Sequence, residues 1–137
     1  MSEYRIVVLP GDGIGPEVTA EGERVLQAVG DRWGFGFAVE RHAIGAAAYR
    51  AVGQVYPRAT RAAIDGADAV LLGAVGDPSL DRAPREHRPE TALLALRRQM
   101  EVYANLRPVR ARPALAARSP LRAELLEGVD VLVVREL

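Results

Sequence analysis

The sequence predicts an α/β protein with a largely parallel sheet and flanking helices. Apolar, β-rich segments alternate along the chain with segments of helical period, and the early strands end in glycine- or proline-bearing turns. Residues 4–9 (YRIVVL) form the first strand, bounded by Pro10 and Gly11. A helix follows GDGIGPEV, with Val18, Val25, Leu26 and Val29 at helical spacing. Pro16 suits its first turn, where a missing N–H costs nothing, and Glu17 complements the helix dipole. Residues 34–41 (GFGFAVER) predict a second strand, 56–67 a short helix after Pro57, and 68–73 (DAVLLG) a third strand. Residues 74–88 read as a polar, proline-bearing loop, long enough to point to function. A helix over 89–100 and a strand near 102–110 come next. Residues 113–119 read as loop, 121–127 as a short helix and 129–135 as a last strand.

Composition narrows the function. The 137 residues, 49% hydrophobic and 26% charged, describe a globular domain with a core. Eighteen basic residues balance eighteen acidic ones, so no net field favours nucleic acid or an anionic membrane. Cysteine is absent, which excludes disulfides and thiolate chemistry. Lysine is absent too: every basic residue is arginine, so this chain has no lysine base. The sequence shows no secretory leader and no apolar segment as long as a membrane span, as expected of a cytoplasmic protein. His42 and His87 stand far apart without a second metal ligand, and neither Ser79 nor Ser119 lies in a nucleophile elbow. Asp65, Asp68, Asp77 and Asp81 read as solvated acids, and Trp33 as a packing residue.

Residues 89–110 (PETALLALRRQMEVYANLRPVR) carry the most information. At about 100° per residue, Glu90, Leu93, Leu94 and Arg97 share an arc of roughly 100° on one helix face. A carboxylate, two leucines and a guanidinium on one face can read a small ligand with both carboxylates and a branched alkyl group. The plainer alternative makes Leu93, Leu94, Leu96 and Met100 a buried stripe with Glu90 and Arg97 as solvated flanks, and spacing alone favours it. Arg97, Arg107 and Arg135 are candidates for bidentate carboxylate recognition. Arg135 ends an apolar strand, where ligand sites of α/β sheets gather. GDGIGPE after a strand invites a dinucleotide reading but departs from that fingerprint. The pattern alone favours a tight turn whose glycines serve positive φ.

In order, LPGDGIGPEV (9–18), DAVLLGAVGDP (68–78), RPETALLALRRQMEVYANLRPVR (88–110) and GVDVLVVREL (128–137) resemble the β-decarboxylating dehydrogenases. That family acts on 3-isopropylmalate, isocitrate, homoisocitrate and tartrate. The resemblance runs the length of the chain and is greatest to the 3-isopropylmalate enzymes. Isocitrate enzymes place a serine and an asparagine where this helix has apolar residues.

The resemblance implies an isopropylmalate-dehydrogenase-like fold, incomplete in this chain. Residues 1–101 would open the first (cofactor/substrate) domain and 102–137 would begin the second (dimerisation) domain. It matches Arg97, Arg107 and Arg135 to the arginines that hold the malate carboxylates, and Leu93 and Leu94 to the alkyl pocket. Glu90, close to both branch and nicotinamide, joins Ile14 near the adenosine end and Asp77 and Pro78 of the 77–88 loop as the NAD-facing set. Asp77 stands where the family often has glycine.

The implied reaction is NAD-dependent oxidation of a 2-hydroxy dicarboxylate, then metal-assisted loss of CO₂, in leucine biosynthesis. The family's acid tyrosine, its lysine and the aspartates that bind Mg²⁺ or Mn²⁺ come later in the longer members. This chain is accordingly expected to hold recognition residues but no catalytic or metal-binding ones, to be an N-terminal portion inactive alone, and to leave sheet edges open. The complete family protein would be a homodimer. Three other readings remain: a non-catalytic or split-protein module needing a complementary chain, a parent acting on a related 2-hydroxy dicarboxylate (isocitrate, homoisocitrate or tartrate), and a stand-alone nucleotide-binding module resting on GDGIG.

Overall fold

The computed structural model describes residues 3–137, which separate into two compact units, one ending at Glu101 and the other Val102–Leu137. In the first unit the order is β1 (Glu3–Gly11), α1 (Gly15–Trp33), β2 (Gly36–Arg41), α2 (Gly45–Val52), α3 (Arg58–Asp65), β3 (Ala69–Ala74) and α4 (Pro89–Gln99). The strands form a parallel sheet in the order β2-β1-β3, with Val8 paired to Leu71 and Leu9 to Leu72.

β1 is central and covered on both faces, which is why IVVL runs without polar interruption: Ile6, Val7, Val8 and Leu9 are all buried. Val7 and Leu9 enter the main core with Ile44, Val55, Tyr56, Ile64, Ala92 and Leu96 from the α2–α4 side. Val8 and Leu71 share the opposite face, where α1 packs. α1 approaches through small residues: a Cβ added to Gly22 would stand 3.2 Å from Leu71 Cδ2.

Pro16 and Glu17 occupy the first turn of α1 as the sequence predicts, and Gly34 closes it in a left-handed conformation (φ 75°). The apolar face assigned to α1 needs correction. Val18 and Val25 are exposed, Val25 at 62%, because the helix packs by Gly15, Thr19 and Gly22 with Leu26 and Val29 beside them. Trp33, expected to pack, is 65% exposed at the helix end. α2 was not anticipated at all. Its sequence, GAAAYRAV, is short and lacks a local capping side chain. The loop over 74–88 contains two short 3-10 turns, Pro78–Leu80 and Arg85–His87.

In the second unit β4 (Ala104–Arg110) and β5 (Asp130–Glu136) form an antiparallel ribbon. The helix predicted over 121–127 is reduced to a 3-10 turn at Ala123–Leu125, since Pro120 and Gly128 leave too few residues between them to propagate an α-helix. Among the described residues of this unit none is fully buried, and Leu106, Leu132, Val133 and Val134 are exposed.

The β1–α1 turn is built by close backbone approach. Gly11 has φ +74°, and a Cβ there would fall 1.9 Å from the Ala74 carbonyl oxygen. Gly13 (φ +55°) meets nothing within 4 Å. Gly11→Ala is therefore expected to cost about 3 kcal/mol or more, and Gly13→Ala only about 1 kcal/mol. Urea unfolding of the two variants checks this. Equal losses would show that the contact with β3 is unimportant.

Candidate ligand-binding site

The carboxyl ends of parallel strands are where α/β sheets bind ligands, since helix starts and loops converge there. Here β1 ends at Gly11 beside the end of β3 at Ala74, and Asp12 N–H donates to the Ala74 carbonyl at 2.7 Å. The β1–α1 turn and the loop after β3 thus leave the sheet as neighbours. Ile14 stands on that turn, 56% exposed, as the residue preceding α1.

α4 arises at the far end of the same loop. Pro89 starts it, and Pro89, Ala92 and Leu96 are its buried residues. The buried stripe is thus set on the side of the helix opposite Glu90, Leu94 and Arg97. The stripe reading holds in part: Leu96 is buried and Leu93 half-buried, but Leu94 is 53% exposed and Met100 is exposed at the helix end. Glu90 and Leu94 are exposed and Arg97 is half-buried on that side of the helix. A Cβ added to Gly76 would stand 3.8 Å from Glu90 Oε1, which places the Glu90 carboxylate against the start of the 75–88 loop.

Arg107 and Arg135 lie on the ribbon of the second unit. Asn105 pairs with Arg135 and Arg107 with Val133, so the two arginines are diagonal neighbours on one face. Arg107 Nε donates to Asn105 Oδ1 at 2.7 Å, which orients its guanidinium along that face. Among the described residues none of Arg97, Arg107 and Arg135 forms an ion pair, whereas Arg5, Arg24, Arg41, Arg50 and Arg110 do. Lack of a partner does not single them out, because Arg98 has none either. Arg97 shares a helix face with Glu90, Leu93 and Leu94, and Arg107 shares a ribbon face with Arg135.

Asp77 is not the solvated acid expected from the sequence. It precedes the 3-10 turn at Pro78–Leu80 and accepts the Ser79 N–H at 2.9 Å, while Arg50 of α2 pairs with its other oxygen. The bonds from Ser79, then the Arg50 guanidinium, hold its carboxyl down at about 2. Asp68 and Asp65 are engaged as well, Asp68 by the Arg5 N–H and Asp65 by Gln99. Pro78 is exposed beside Asp77. The sequence reading missed Asp12, a buried carboxylate (3% exposed) that receives three backbone N–H groups. Two of its donors belong to the unforeseen α2, so local sequence carried no signal for it. Among the described residues no group of three acidic or histidine side chains could hold a metal ion, and no helix is long and apolar enough to cross a membrane.

Residues 5–137 match the isocitrate/isopropylmalate dehydrogenase family model. The chain belongs to that family. A 3-isopropylmalate dehydrogenase of Synechococcus sp. (strain CC9902) is 53% identical over 137 residues, and that of Deinococcus radiodurans 54% identical over 136. These alignments take in 100% and 97% of this chain but 38% of each relative. The chain thus spans well under half the length of those relatives. Among solved structures, a β-decarboxylating dehydrogenase of Thermococcus kodakarensis is 32% identical with a TM-score of 0.69, covering 98% of this chain and 34% of that one. The isocitrate dehydrogenase of Methylococcus capsulatus is 25% identical with a TM-score of 0.75, over 97% and 34%.

The depressed Asp77 value has a testable consequence. A carboxyl held at about 2 against an ordinary 3.8 contributes stability present above the ordinary value and lost as pH falls through about 2. Ser79→Ala and Arg50→Ala should each move the Asp77 midpoint upward. Carboxyl-carbon NMR titration reads both, and a midpoint that stays put in either variant contradicts the assignment.

Proposed function

We propose that this chain carries the substrate- and cofactor-recognition part of an NAD-dependent 3-isopropylmalate dehydrogenase, a cytoplasmic homodimeric enzyme of leucine biosynthesis. The observation that carries the reading is the free face of α4, where half-buried Leu93 and exposed Leu94 lie between Glu90 and Arg97. An isopropyl branch fits paired leucines, each buried methyl(ene) contributing about 0.8 kcal/mol. The serine and asparagine expected there in isocitrate enzymes would instead meet a polar branch.

In this reading Arg97, Arg107 and Arg135 neutralise and orient the two carboxylates of the malate, each guanidinium matching a carboxylate fork. The turn at Gly13 and Ile14 and the loop with Asp77 and Pro78 face the dinucleotide. They fit that role in lying at the carboxyl ends of β1 and β3, with Gly13, Ile14 and Pro78 exposed. Bound NAD⁺ supplies the acceptor for the carbinol hydride. Asp77 contributes by shaping the loop, its carboxylate being already engaged by Ser79 and Arg50. Glu90 presents its charge where the substrate branch and the nicotinamide would meet. In this reading the ligands of Mg²⁺ or Mn²⁺ and the proton-transferring groups belong to sequence outside this chain.

The division at Glu101 supports a first domain for cofactor and substrate over 1–101 and the start of a dimerisation domain over 102–137. The bare ribbon and the unpaired outer edge of β3, an apolar AVLLGA, support further strands joining both sheets. Without them the 137 residues alone are expected to be inactive.

Assay of the complete gene product with 3-isopropylmalate, NAD⁺ and Mg²⁺ tests the proposal, and turnover of isocitrate or tartrate in preference would refute the substrate assignment. Arg107→Ala or Arg135→Ala should lower kcat/KM for the dicarboxylate roughly 10- to 100-fold. Leu94→Ala should reduce discrimination between 3-isopropylmalate and malate by about 10-fold or more, read from the ratio of kcat/KM values.

A further inference from the structure

α2 is held against the ligand-facing loop by one buried carboxylate. Asp12 Oδ2 accepts the N–H of Ala46 at 3.1 Å and of Gly76 at 2.9 Å, and Oδ1 accepts that of Ala47 at 2.8 Å. The first and third donors open α2, where backbone N–H groups have no partner within the helix, and a carboxylate there satisfies them and complements the dipole. The second donor begins the loop after β3. One side chain therefore ties together the β1–α1 turn, the start of α2 and the loop that leads to Glu90. The fit excludes alternatives: a Cβ on Gly45 (φ +75°) would lie 2.4 Å from Asp12 Oδ2. Gly76 itself has φ +146°, a backbone conformation open to glycine and strained for other residues.

Two more contacts run from α2 to the same loop. Arg50 pairs with Asp77 near its beginning, and the Tyr49 hydroxyl lies 3.4 Å from His87 Nδ1 near its end, with the two rings 4.9 Å apart. α2 thus touches both ends of the loop, and Asp12 fixes the helix that does so.

We infer that Asp12 is a positioning residue for the dinucleotide-facing loop, an inference that rests on the proposed function for the identity of the ligand. It touches no ligand and acts through Gly76 and α2. Asp12→Asn keeps the shape but turns one acceptor into a donor facing backbone donors, so at least one of the three bonds is lost.

Two measurements decide the matter. Hydrogen exchange on the full 137-residue chain should show the Gly76, Ala46 and Ala47 amides protected together in the wild type. In Asp12→Asn they should exchange faster, by at least about tenfold, than the β1–β3 ladder amides are accelerated. In the complete gene product the same variant should raise KM for NAD⁺ about 10- to 100-fold with kcat changed less than about threefold, as expected of a misplaced binding loop.

A Gly76 amide as fast as open loop amides in the wild type overturns the inference without need of a folded variant. Equal acceleration of ladder and loop amides, or a fall in kcat with KM unchanged, also overturns it, because Asp12 would then be a general stability residue or belong to the chemistry. A wild-type gene product that oxidises no 2-hydroxy dicarboxylate defeats the functional reading instead, while the exchange comparison still decides whether Asp12 holds the loop.

Discussion

Backbone packed directly on backbone at the end of β1 is the constraint from which the rest of the first unit follows. Gly11 meets the Ala74 carbonyl, and Cβ atoms built on Gly15 and Gly73 would stand 1.9 and 2.3 Å from the Pro10 carbonyl oxygen. No side chain fits at these positions. The contact draws the start of α1 and the ends of β1 and β3 into one knot, and the carboxylate of Asp12 is enclosed beside it. Burying a charge is tolerable only if it is fully hydrogen-bonded, and three amides from two other segments do that. The glycines of GDGIGPE consequently act through space and turn geometry, and the charged residue between them organises the surrounding loops.

The same economy explains the two faces of α4. Its buried side is narrow, formed by Pro89, Ala92 and Leu96, with Gln99 at the end accepting the Tyr56 hydroxyl and donating to the Arg61 carbonyl and Asp65. A helix that anchors through so slim a stripe keeps a broad face free. That face holds Glu90, Leu94 and Arg97, and the leucine there stands exposed to water. Arg107 and Arg135 stand side by side for a different reason, the antiparallel register of β4 and β5.

Membership of the isocitrate/isopropylmalate dehydrogenase family rests on a match over residues 5–137 and on relatives more than half identical. Asp77 is matched by Arg50 on α2 and by Ser79, so its charge is absorbed by the loop it sits in. Such a loop keeps a defined shape and leaves no free anion at Asp77.

Much of this protein was legible in the sequence because the signals were local or periodic. The run IVVL marked a central strand, Pro16 and Glu17 marked a helix start, and the spacing of Glu90, Leu93, Leu94 and Arg97 placed them on one face whatever the fold. Spacing could not say whether that face pointed in or out: only packing of Ala92 and Leu96 against Ile44 and Tyr56 turned it outward. Nor could it reveal α2, whose cap lies more than thirty residues upstream at Asp12. Val18, Val25 and Trp33 looked like core and are not, since a stripe of small residues brings α1 closer to the sheet than large ones could. Chain-local chemistry determines which elements form and which residues share a side. Contacts between residues distant in sequence decide which side is buried and which carboxylate is a structural bond, because desolvation and hydrogen-bond satisfaction depend on neighbours that the linear order does not specify.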